Sequence, residues 1–165
     1  MKIITIASAK GGVGKSTFCC VVAEMLASQG KRVLLADMDV GVRSLDILLN
    51  VSEKTVYNWG DIIKGNCDYR KAVIEAKKDI FLLPAPIDFS NDYTVDGFKE
   101  MIERFRKDFD FILLDAPAGL ESGFMLAAGA TDSCIVISTP DAISIRAASY
   151  AAEKMKKSGI SDIRL

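Results

Sequence analysis

The sequence predicts an α/β domain spanning residues 1–165, with a doubly wound, mostly parallel sheet and helices on both faces. Three observations carry this prediction. Short, continuous apolar runs recur along the chain, helical periods fill the gaps between them, and a glycine-rich segment joins the first run to the first helix. Strands buried on both faces read as unbroken apolar runs, and strands that alternate with helices imply right-handed crossovers.

The runs at residues 3–7, 33–36, 80–83, 111–114 and 134–138 are the predicted strands. Phe18, Val21, Val22, Met25 and Leu26 recur at i, i+3, i+4, i+7 and i+8. They predict a helix that starts at Lys15 or Ser16, turns this stripe to the sheet and stops before Gly30. A second helix is predicted over Tyr93–Lys107, with Phe98, Met101, Ile102 and Phe105 on one face. A third is predicted over Asp141–Lys157, where Thr139-Pro140 supplies the cap and first-turn signal. Residues Ile160–Leu165 resemble a strand that has barely begun, so the expectation is a fragment of a longer protein whose sheet continues.

Composition bounds the function. Half of the 165 residues are apolar and the net charge is −1, enough for one packed core and too little basic charge to leave an electrostatic footprint for nucleic acid. No secretory leader and no apolar run near the roughly 20 residues of a membrane span are present, which predicts a cytoplasmic protein. Cys19, Cys20, Cys67 and Cys134 are scattered and the chain has no histidine, which argues for reduced thiols and against a zinc site.

Lys10-Gly11-Gly12-Val13-Gly14-Lys15-Ser16-Thr17 reads as a phosphate-binding loop. A helix starting at its end aims unpaired backbone N–H groups and a positive dipole end into the loop, and glycines let the backbone approach an anion closely. Lys15 can then reach the outer phosphates and the Ser16 hydroxyl can hold Mg²⁺. The pattern G-x-x-x-x-G-K-[ST] asks for glycine where this chain has Ala9, and a second lysine, Lys10, follows it. Two lysines around one small site repel unless polyphosphate neutralises them.

Acids complete the predicted site. Asp37 and Asp115 each close an apolar run, and Asp39 lies just beyond Asp37. Carboxylates at the carboxyl ends of parallel strands are placed to hold Mg²⁺, directly or through water, beside nucleotide phosphates. Asp39, on a loop free to move, is the candidate for orienting the attacking water. Asp115-Ala116-Pro117-Ala118-Gly119 leaves room for a γ-phosphate, which the Gly119 N–H is placed to sense.

These residues resemble the deviant-Walker (ParA/MinD) P-loop ATPases, a SIMIBI-like fold, and within them the MinD branch. The resemblance covers essentially the whole chain. It rests on the loop, on Asp37-Met38-Asp39-Val40-Gly41-Val42-Arg43-Ser44-Leu45-Asp46 as a first switch, and on Asp115-Ala116-Pro117-Ala118-Gly119-Leu120-Glu121-Ser122-Gly123 as a second. It implies an ATP-dependent, Mg²⁺-requiring dimerising ATPase that regulates placement of the division site. Residues 11–17 and Gly119 would bind nucleotide, and Ser16, Asp39 and Asp115 would serve the metal. Lys10, Lys15 and Asp39 would be catalytic, with Lys10 contacting the phosphates bound to the other subunit. It also implies an activating protein partner and, in the full-length protein, peripheral attachment to the membrane through a C-terminal amphipathic helix beyond this chain. Ala147-Ala148, where the relatives carry an acid after Arg146, and Ser44, where they carry Asn, depart from the pattern. A ParA-like partition ATPase acting on DNA or a polar cargo is the alternative, against which the acidic balance argues. An iron-protein-like redox role would need a cysteine within residues 116–124, and none is there.

Overall fold

The computed structural model describes residues 1–165. Seven strands form one sheet in the order β3-β4-β2-β5-β1-β6-β7. They are β1 (Lys2–Ser8), β2 (Val33–Asp37), β3 (Ile74–Lys77), β4 (Ile80–Leu83), β5 (Phe111–Ala118), β6 (Ser133–Val136) and β7 (Ile163–Arg164). All neighbours are parallel except β3, which returns antiparallel on β4. The predicted doubly wound, mostly parallel sheet is therefore the fold.

Side chains on the central strands alternate between two cores, as a period of two requires. Leu34, Ala36, Ile112 and Leu114 join the larger one, and Val33, Leu35 and Leu113 join the smaller. Helices α3 (Trp59–Ile63), α4 (Val95–Glu103), α5 (Ser122–Ala130) and α6 (Ala142–Lys157) cover the larger core. Helices α1 (Lys15–Ser28) and α2 (Ser44–Leu48) cover the smaller.

The predicted stripe of α4 is buried as expected, including Phe105 in the turn that follows. The stripe of α1 is buried only in part, with Val22 and Leu26 packed against the smaller core. Phe18, Val21 and Met25 are 36%, 49% and 59% exposed, whereas Cys19 and Ala23 are fully buried. The helix is apolar over more of its girth than the sheet covers, and its small side chains, Cys19 and Ala23, let the backbone settle closest to the strands. The cap of α6 also differs from expectation. Asp141, rather than Thr139-Pro140, accepts from the Ser144 N–H.

Four elements escape sequence reading. β3 is short and half exposed, and α2 and α3 have five residues each. α5, Ser122–Ala130, is apolar all round and buried against α4 and the sheet, so it shows no helical period. No helix is long and apolar enough to cross a membrane.

Candidate nucleotide site

β1 ends at Ser8, and after six intervening residues α1 begins at Lys15, capped by the backbone of Gly14 with no side-chain acceptor. Gly12 and Gly14 have φ of 73° and 92°, left-handed values that cost a residue with a Cβ more than a glycine. The loop thus turns its first helical N–H groups outward with nothing of the protein's own to satisfy them, which is the arrangement an anion fills. Lys15 is 8% exposed, and its ammonium pulls against the rise that burial gives the carboxyls of Asp39 and Asp115. A cation held that far from water needs nearby negative charge to offset its desolvation.

A cavity of about 590 Å³ opens over the loop, lined by Gly11, Gly12, Gly14, Lys15, Ser16, Thr17, Asp39 and Ala118. Its opposite wall comes from the first switch, where Val42, Ser44 and the α2 residues Ile47 and Leu48 complete the lining. Val42 and Ser44 belong to the switch segment singled out in the sequence, whereas Ile47 and Leu48 were missed, because a five-residue helix leaves no periodic signal. Val13 and Gly119 lie outside the lining, although Gly119 has the φ of 93° that a sharp turn after β5 demands.

Asp37 and Asp115 sit side by side in register on β2 and β5, both buried. The expectation that Asp115 ends its strand is corrected: β5 runs on through Ala118. Asp37 is a brace for the first switch. One carboxyl oxygen accepts from the Asp39 N–H at 2.9 Å and the other from the Leu45 N–H at 3.0 Å, which ties both ends of the loop to β2. The Trp59 indole Nε1 donates to the Asp37 carbonyl at 2.9 Å. Burial pushes the Asp37 carboxyl up to about 7 against these two bonds. It also raises Asp39 against the pull of Lys15, and Asp115 against the Ser16 hydroxyl, Lys15 and the Cys19 thiol.

Asp115 Oδ1 is buried without any hydrogen-bond partner. An orphaned carboxylate oxygen beside the Ser16 hydroxyl, with Asp39 across the cavity, fits a hard divalent cation. No three acids gather into a cage of their own, so such an ion would take its remaining ligands from phosphate and water.

Lys10 does not line the cavity. Its Nζ donates to the Ser144 hydroxyl at 3.1 Å and lies 3.7 Å from the Asp141 carboxylate, at the start of α6. Asp141 is held well below the usual carboxylate range by the Ser144 and Thr139 hydroxyls and the Ser144 N–H, with Lys10 adding to this. The two lysines of the loop are thus separated: one faces the cavity and the other is parked on α6. The second switch packs against the first at Gly123, where a Cβ would stand 2.8 Å from the Met38 carbonyl oxygen.

A family model described as an AAA domain matches residues 1–159. The septum site-determining protein MinD of Helicobacter pylori is 40% identical over 147 residues, 87% of this chain and 55% of that protein. The chain belongs to this family of P-loop ATPases, in its MinD branch. Among solved structures of the branch, the MinC:MinD cell division protein complex of Aquifex aeolicus superposes with a TM-score of 0.89 at 32% identity, covering 99% of this chain and 66% of that one. MinD of Pyrococcus horikoshii, complexed with Mg-ADP, gives 0.87 at 27% identity over 98% of this chain and 67% of that one. The chain spans 61% and 62% of the length of two further MinD relatives that it matches almost end to end.

Proposed function

We propose that this chain is the nucleotide-handling part of an ATP-dependent, dimerising ATPase that serves placement of the division septum. The observation that carries the reading is the separation of the two loop lysines, with Lys15 in the cavity and Lys10 held 3.1 Å from Ser144 outside it. Lys15, the N–H groups of residues 11–17 and the start of α1 would bind the ATP phosphates. Ser16 and Asp115, with Asp39, would hold Mg²⁺, whose charge offsets that developing on the transferred phosphoryl group. The metal-bound nucleotide of the Pyrococcus relative supports this choice of ligand.

Asp39, half-buried on the switch and free of the strand, would orient the attacking water. Lys10 would leave α6 on dimerisation and add its charge to the phosphates bound in the partner subunit, in the manner of an arginine finger. Its contact with Asp141 is half-exposed and therefore weak, so a polyphosphate anion outcompetes it. A regulatory protein partner fits the reading, as the Aquifex MinD stands in a complex with MinC.

Phosphate release measured on purified protein with ATP and Mg²⁺ tests the reading. Turnover should be lost in Lys10→Ala with ATP binding retained. Loss of ATP binding in that variant would place Lys10 in its own subunit's site and defeat the proposal.

A further inference from the structure

We propose that the chain carries a second ligand site, for a small aromatic carboxylate, at the end of the sheet opposite the phosphate loop. The phosphate loop follows the carboxyl end of β1. Arg32 precedes β2 and Phe109 precedes β5, so both lie at the amino ends of the parallel strands. A cavity of about 270 Å³ opens there. Its floor is aromatic: Phe105 and Phe109 are buried, Phe81 meets Phe109 edge-on at 5.2 Å between centroids, and Tyr69 meets Phe105 at 5.0 Å.

Two guanidinium groups line the same cavity, each laid on a ring. The Arg32 group lies 5.1 Å from the Phe81 centroid and 5.5 Å from that of Phe109, and the Arg70 group lies 4.8 Å from Tyr69. Neither is in an ion pair, although the nearby Arg104 and Arg106 both are, with Glu100 and Glu103. Both arginines are exposed at the mouth of the cavity, and stacking covers the flat faces of each guanidinium while leaving its edge, where the N–H donors are, open to an acceptor.

Of the two acids in the lining, Asp108 already accepts the Tyr69 hydroxyl at 3.0 Å, and Glu75 is exposed on the edge strand. A carboxylate bridging the two guanidinium edges, carried on one planar ring that meets the phenylalanines, satisfies both donors and floor. A volume below the usual span for drug-sized ligands suits a single ring. A cationic ligand would instead meet two like charges over the rings it needs.

Titration of the ¹⁵N-labelled protein with phenylacetate tests this, followed through the arginine Nε–H and the amides of Phe81 and Phe109, with acetate and benzylamine as controls. Phenylacetate should saturate the site. Arg32→Gln and Arg70→Gln should each weaken it by about tenfold or more, with thermal unfolding and MgATP binding unchanged. Arg32→Lys should weaken it as well, because an ammonium keeps the charge but not the stacked fork. Absence of saturation, wild-type affinity in either glutamine variant, or tighter binding of benzylamine would each overturn the proposal.

Discussion

Lys10 and Lys15 lie five positions apart on one loop, yet the fold gives them opposite surroundings. Lys15 is nearly buried next to Asp39 and Asp115, so its loss removes the charge that the cavity presents to a triphosphate. Lys15→Ala should bind ATP too weakly to detect by calorimetry under conditions that saturate the wild type. In the proposed role Asp39 would serve chemistry more than phosphate binding, so Asp39→Ala should keep ATP affinity within a few-fold and slow phosphate release by about 10² or more. Asp37, two residues earlier, has a structural role with a pH signature. Its carboxyl keeps a proton to about pH 7 when folded, while an unfolded aspartate releases it near 4. Between those values the folded state binds the extra proton, so stability falls as pH rises, by about 1 kcal/mol per pH unit from this group. Asp37→Asn should flatten that slope in denaturant titrations between about pH 5 and pH 7. An unchanged slope would mean that Asp37 is ionised throughout.

The first switch is held at the level of elements. β2 supplies Asp37, which grips the N–H at each end of the loop, and α3 supplies Trp59, whose indole bonds the Asp37 carbonyl. Trp59 is the only tryptophan of the chain and is fully buried, packed edge-on against Phe98 of α4 at 5.5 Å. Its emission should therefore shift when nucleotide rearranges the switch, and Lys15→Ala should show no such shift. Phe98→Ala removes the ring that supports Trp59 and leaves a cavity between α3 and α4. It should cost about 3–5 kcal/mol of stability in denaturant unfolding. The main parallel strands were legible as unbroken apolar runs, and the long helices because each repeats a single period long enough to notice; half-exposed β3 has neither signal. α2 and α3 are too short to show one, and α5 is apolar in every direction, so its helical character exists only in tertiary context. The α1 stripe misled for a related reason: the largest apolar residues, Phe18, Val21 and Met25, lie beside the arc that packs, and small Cys19 and Ala23 fill it.

At the scale of the molecule, one end of the sheet gathers the phosphate loop, both switches and the start of α6. The loop glycines, Lys15, Ser16 and Asp39 were legible because phosphate chemistry constrains residue types at fixed spacing, whatever the fold around them. The α2 wall of the cavity and the Asp141-Ser144 rest for Lys10 were not, because nothing in local sequence says that residues 134 positions apart will meet. On the proposed function that rest position would give Lys10 two destinations, α6 in one subunit and the partner's phosphates in the pair. Dimerisation and hydrolysis would then be linked through a single amine. Light scattering of wild-type and Lys10→Ala protein, each with Mg²⁺ and a non-hydrolysable ATP analogue at saturating concentration, measures this link most directly. The account predicts a doubling of mass for the wild type and a monomer that still holds the analogue for Lys10→Ala. A variant that pairs as readily as the wild type, or a wild type that stays single with its nucleotide bound, would contradict it.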